Sequence, residues 1–97
     1  MPNNYIKELA NILEMLDNLD RDLNLSVFNE TEKKIYYTIA SNIHNSGRCN
    51  ISDVIESSGY SRSTVYKAIK NFEGNNMVEL IKSNFDRREI YLKLAIT

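Results

Sequence analysis

The order of signals between Ile51 and Ile96 constrains this chain more than any other feature. Two short helical patterns parted by a glycine lead into two alternating, strand-like patterns parted by a charged loop. Ser52 is placed to cap a helix whose inner face is Val54 and Ile55, and Gly59 offers the left-handed conformation that ends it and turns the chain sharply. Ser61 then stands one residue before a new run, where its hydroxyl can accept a backbone N–H near Ser63 or Thr64. Along that run Val65, Ala68, Ile69 and Phe72 recur at three- and four-residue steps, while Arg62, Ser63, Tyr66, Lys67 and Lys70 fall on the opposite side. Gly74-Asn75-Asn76 tolerates positive φ, and the pattern switches to strand at MVELIKS. After Asn-Phe-Asp-Arg-Arg the chain returns as EIYLKLAI, with Ile90, Leu92 and Leu94 alternating against Tyr91 and Lys93. This order predicts a winged helix-turn-helix, with an outward-facing helix at 61–73 and a wing tip at 83–88.

Two helices are expected before this unit. Asn29 can cap the nearer one while Glu32 reaches back, its stripe is Ile35, Ile39 and Ile43 with Tyr36 and Ala40 alongside, and Gly47 stops it. Cys49-Asn50-Ile51 is long enough only for a single bridging strand against the hairpin. From Asn4 to about Leu25 the period is also helical, with two overlapping apolar seams. One is Ile6, Leu9, Leu13, Leu16 and Leu23, interrupted by Asp20; the other is Tyr5, Leu9, Ile12, Leu16, Leu19 and Leu23. Two seams are best satisfied by packing one on the domain and the other on a second chain, so Ile6, Leu9, Ile12, Leu13, Leu16 and Leu19 are the expected dimerisation residues. The competing reading is a helix that closes the core of a monomer. The expected fold class is α+β, mostly α, divided into an N-terminal amphipathic helix at 1–27 and a winged helix-turn-helix at 28–97.

Ninety-seven residues, 42% of them hydrophobic, suffice for one small core. The formal net charge of −1 conceals a polarity along the chain. Residues 1–47 hold four basic against seven acidic side chains, a balance of −3, whereas residues 48–97 hold eight against six, a balance of +2. The basic half is the one with the outward-facing helix and the wing. A lone Cys49 with His44 as the other soft ligand assembles neither a disulfide nor a Cys/His metal site, so no metal or cofactor is expected. No apolar run approaches the roughly 20 residues of a membrane span, and the amino end lacks the order of a signal peptide, so a cytoplasmic protein is expected.

The residues from Phe28 to Leu94 resemble the winged-helix domain of the MarR family and its SarA-like relatives among bacterial transcription regulators. SRSTVYKAIKNFEGNNMVEL is similar to that family's recognition helix entering its first wing strand, with Asn76 where glycine is usual. Asp86-Arg87-Arg88 resembles the family's D-x-R wing motif, which implies Arg88 as a minor-groove residue and Asp86 as its orienting partner. MarR-like regulators carry further helices after the wing that complete their dimer, and the sequence to Thr97 holds none. The resemblance therefore implies neither their dimer geometry nor their ligand pocket. Minimal winged helices that dimerise through an N-terminal helix are the nearest alternative.

These readings converge on a homodimeric, sequence-specific binder of double-stranded DNA, acting as a repressor. Arg62, Ser63, Tyr66 and Lys67 would meet base edges in the major groove, and Lys70 would lie nearer the phosphates. Arg62 is the expected bidentate partner of guanine, and Arg87 and Arg88 would follow the minor groove. As solvated side chains, the same residues would instead form an ordinary polar face, with an Asp86–Arg88 ion pair worth little. Ser61 and Ser63 lack a base and His44 sits in a polar loop, so no enzyme is expected. Cys49 is expected to be a small buried residue rather than a redox switch. The rival function is a winged helix that binds protein as an adaptor or antagonist, which would suit the negative total charge.

Overall fold

The computed structural model describes residues 3–83 and 89–95. Four helices and one hairpin follow in order: α1 (Asn3–Asp22), a single 3-10 turn (Leu25–Val27), α2 (Glu30–Ser46), α3 (Ile51–Ser58), α4 (Arg62–Gly74), β1 (Val78–Lys82) and β2 (Ile90–Leu94). The mostly helical α+β architecture expected from the sequence is the one observed.

Local chemistry places most boundaries. At α2 the Asn29 side chain accepts from the Glu32 amide at 2.8 Å while the Asn29 amide donates to Glu32 Oε1 at 2.9 Å, a complete capping box. Ser61 caps α4 by accepting from the Thr64 amide at 3.2 Å. Gly47 and Gly59 end α2 and α3 at φ 81° and 76°, left-handed values that a Cβ would strain. Asn76 takes φ 59°, so the asparagine at the expected glycine position does adopt the left-handed turn. The cap of α3 differs from expectation. Asn50, not Ser52, holds it, in a second box with Asp53.

The core gathers α2, α3, α4 and the hairpin. Phe72 is fully buried, its ring edge-on to Phe28 at 5.0 Å and to Tyr36 at 5.2 Å. Ile35, Ile39, Val54, Val65 and Ile69 surround these rings. In the antiparallel hairpin Val78 faces Leu94 and Leu80 faces Leu92 on the core side, while Glu79 faces Lys93 and Ile81 faces Tyr91 on the other. Asn50 adds a one-residue bridge to Tyr91, and the Leu92 amide donates to the Cys49 carbonyl at 2.8 Å. Cys49 is fully buried beside this bridge, where burial pushes its thiol pKa up.

Helix α1 departs from the expected packing. Neither seam is covered: Leu9 and Leu13 are 60% and 62% exposed, and no residue from Asn4 to Leu19 is buried. The helix also ends at Asp22 rather than near Leu25, because Asn24 turns left-handed at φ 58°. Only its last turn is tied down. Leu23 packs against the core, and Asp20 accepts from Lys33 Nζ at 2.9 Å and from the Tyr37 hydroxyl at 2.7 Å. Those hydrogen bonds, Lys33 first, hold the Asp20 carboxyl below its ordinary pKa, while burial and the bond to Asp20 push Tyr37 up to about 12. The molecule is consequently elongated, 51 Å by 26 Å by 25 Å.

Candidate nucleic-acid interface

At 100° per residue, α4 sorts its side chains by direction. Val65, Ala68, Ile69 and Phe72 are buried in the core, and Arg62, Ser63, Tyr66, Lys67 and Lys70 are all exposed on the opposite arc. The sequence-predicted face is therefore one contiguous surface. Its first turn is fixed by Ser61, whose hydroxyl also lies 3.3 Å from Ser63 Oγ and donates to Thr64 Oγ1 at 2.9 Å. Among the described residues, Arg62, Lys67 and Lys70 have no carboxylate within ion-pair distance. All three side chains are exposed.

The two edges of this face meet different neighbours. On one edge Arg62 and Tyr66 border a cleft of about 200 Å³ with Asn50, Ile51 and Ser52 at the start of α3 and with Glu89 and Ile90 at the foot of the wing. The Arg62 guanidinium stands 6.0 Å from the Tyr66 ring centre, and Tyr66 remains 38% exposed. On the other edge Thr64 and Lys67 border a cleft of about 260 Å³ with Asn29, Thr31 and Glu32 of the α2 amino end, where Asn71 Nδ2 donates to Glu32 Oε2 at 2.7 Å. Close by, Lys34 Nζ lies 5.9 Å from the ring centre of Tyr60, the residue just before the α4 cap. Neither Lys34 nor Tyr60 stands out in the sequence, because the pairing spans distant parts of the chain.

The wing arrives at the first of these edges. Its stem is closed by the Ser83 amide donating to the Glu89 carbonyl at 3.1 Å. Asp86, Arg87 and Arg88 lie outside the described residues, and so does the expected Asp86–Arg88 pair. On the outer face of the hairpin Arg48 stacks 5.2 Å from the Tyr91 ring, and the Tyr91 hydroxyl donates to Glu89 Oε2 at 2.7 Å, which raises the Tyr91 pKa.

Among the described residues no cluster of His, Cys, Asp and Glu has the arrangement of a metal site, and no helix is long and apolar enough to cross a membrane. His44 is exposed in the last turn of α2. The expected dimerisation residues Ile6, Leu9, Ile12, Leu13, Leu16 and Leu19 are all exposed along α1, together with Tyr5 and Met15.

Comparison with known proteins sharpens the picture. Residues 25–95 match the model of a family described as sugar-specific transcriptional regulator TrmB. None of the curated proteins matches the sequence. Among solved structures, the heme sensor protein PefR of Streptococcus agalactiae in complex with heme is 23% identical with a TM-score of 0.61, the match covering 96% of this chain and 63% of PefR. A point mutant of MepR from a multidrug-resistant S. aureus clinical isolate is 19% identical with a TM-score of 0.64, over 97% of this chain and 66% of MepR. MepR in a complex with DNA, also from S. aureus, is 18% identical with a TM-score of 0.58 over the same shares. At these identities the likeness establishes the fold alone, and it is the winged helix read in the sequence. The chain spans slightly less than two thirds of the length of PefR and of MepR.

Proposed function

This chain belongs to the TrmB family of transcriptional regulators, which are not enzymes, and from that premise we propose that it binds double-stranded DNA sequence-specifically as a homodimeric repressor. In this reading the helix at 61–73 enters the major groove and the wing at 83–88 follows the minor groove. The supporting observation is the exposed arc of Arg62, Lys67 and Lys70, without an ion pair among the described residues, on a helix fixed by its own cap and core stripe. Arg62, with Ser63, Tyr66 and Lys67, reads base edges. Lys70 meets phosphate, and Arg87 and Arg88, oriented by Asp86, serve the minor groove.

Helix α1 supplies the dimer. Its uncovered apolar face has no occupant within the described residues, and pairing two copies along it covers both at once. The family match begins at residue 25, which supports a division into an arm at 1–27 and a reading domain at 28–97. Repression follows from occlusion, since a DNA-bound dimer covers its site against a polymerase without needing another surface. Such a protein works in the cytoplasm.

Selection of genomic fragments on immobilised protein, followed by a salt titration, tests the reading. The expected sites are inverted halves about one helical turn, roughly 10 base pairs, apart, with affinity falling steeply as salt rises. Arg62→Ala should change the preferred sequence, whereas Arg88→Ala should weaken all duplexes evenly. Retention of no duplex, or binding indifferent to salt, refutes it. The negative total charge then favours the second reading, a winged-helix adaptor or antagonist that binds protein and not DNA.

A further inference from the structure

A helix lying in the major groove meets a phosphate backbone on each side, because a groove about 12 Å wide barely exceeds the roughly 10–12 Å girth of a helix with its side chains. The wing serves one side of α4. The other side is bordered by α2, whose Thr31 lines a cleft with Thr64 and Lys67 and whose Lys34 lies over the ring of Tyr60. Taking the DNA-binding reading as its basis, we infer that this flank is a second backbone site. Lys34, held over the Tyr60 ring, binds a phosphate of the strand across the groove from the wing, with the Thr31 hydroxyl alongside.

The placement of Lys34 is specific. Tyr60 is half-buried against the core and directly precedes Ser61, so its ring is a fixed platform at the amino end of α4. An ammonium 5.9 Å from that ring centre is kept beside the helix that enters the groove, and less side-chain freedom is lost when a phosphate arrives. The neighbouring lysine behaves otherwise. Lys33 Nζ is engaged by Asp20 at 2.9 Å and lies 3.9 Å from Glu30, whereas Lys34 has no ion pair among the described residues.

Of the acidic groups of this stretch, Glu32 lines the cleft with its oxygens hydrogen-bonded, and Glu30 does not line it. Glu32 Oε1 accepts from the Asn29 amide and Oε2 from Asn71 Nδ2, while Glu30 approaches Lys33. The carboxylate nearest the flank is therefore occupied on both oxygens. Thr31, one turn before Lys34, shares its side of α2 at i,i+3 spacing and lines the cleft that contains Lys67.

The test is the salt dependence of binding to a selected site and to a random duplex, measured by fluorescence anisotropy. Releasing one phosphate contact per protomer, two per dimer, lowers the slope of log affinity against log salt by about 1.8, which at 0.15 M salt is a loss of roughly thirtyfold. Lys34→Ala should show that change equally on both duplexes, with an unaltered melting temperature because Lys34 is exposed. Tyr60→Phe should retain wild-type binding. Tyr60→Leu, checked by circular dichroism, should lose part of it. A Lys34→Ala protein with the wild-type slope and affinity overturns the inference, as does one that changes site preference and leaves random-duplex binding intact. Wild-type protein that retains no duplex refutes the DNA-binding reading itself, and is told apart because it needs no variant.

Discussion

The dimer assignment is tested most sharply by charging the face of α1 without disturbing the fold. Leu9 and Leu16 belong to both apolar seams and are 60% and 37% exposed, so each protomer still has about one whole leucine side chain to bury at these two positions. At about 2 kcal/mol for burying a leucine, the pair contributes about 2 kcal/mol per protomer and about 4 kcal/mol per dimer. Leu9→Glu with Leu16→Glu removes that contribution, which corresponds to roughly a thousandfold rise in the dimer Kd. It also sets new carboxylates near Glu8, Glu14 and Asp17 on the same helix, adding repulsion between the paired arms. Helical propensity changes little, since glutamate and leucine rank close together. Sedimentation velocity across a concentration series is the assay. The wild type should sediment as a dimer and the double variant as a monomer, with the same circular dichroism and melting behaviour at low concentration. Identical sedimentation of the two proteins refutes the reasoning. A double variant that loses its fold does so too, because the argument requires these side chains to lie outside the core.

Phe72→Ala removes a fully buried ring at a cost of about 3–5 kcal/mol, and its edge-on contacts with Phe28 and Tyr36 add to this, so urea denaturation should show a protein near the limit of folding; a small shift in midpoint would misplace the core. The folded state holds the Tyr37 proton more firmly than the unfolded chain, whose phenol titrates near 10. Its contribution is therefore whole below pH 10 and is lost as pH rises through about 12. Asp20, with its pKa lowered, contributes above the ordinary carboxylate range and loses that contribution as pH falls through it. Tyr37→Phe should reduce the alkaline component in pH-dependent melting, and a variant with the wild-type profile would refute the assignment. Buried, with its thiol pKa raised, Cys49 should react with iodoacetamide far more slowly in the native protein than in urea; equal rates would reject its place in the core.

The parts of the fold that can be read in the sequence are those written in local chemistry. Asn29 with Glu32, Ser61 three residues before Thr64, and Gly59 after a short apolar stripe each act within one turn, so spacing alone locates them. The α3 cap is harder to place because two capping residues stand close together. Asn50 prevails over Ser52 since Asp53 is at the right distance to complete its box, whereas Ser52 has no such partner. Non-local features stay hidden. Asp20 reads as a flaw in the α1 seam, yet Lys33 and Tyr37, 13 and 17 positions away, bond to it in the fold. Periodicity marks an apolar face but carries no record of what covers it, which is why both seams of α1 are recognisable while the expected packing of one on the domain fails. The outward arc of α4 is legible from its complementary core stripe, and the flank formed by Lys34 and Tyr60 is not.

Asn24, at φ 58°, separates the α1 arm from the buried Leu25. A twenty-residue rod projects from there, held at its base by the bonds from Lys33 and Tyr37 to Asp20. At about 1.5 Å per residue the rod is about 30 Å long, so about ten degrees of rotation at its base carries its far tip about 5 Å. In the proposed dimer, leverage of that kind would turn a small backbone adjustment into a change in how far apart two reading heads stand. Substitutions at the fulcrum would then retune operator choice while every nucleotide-facing side chain stays the same.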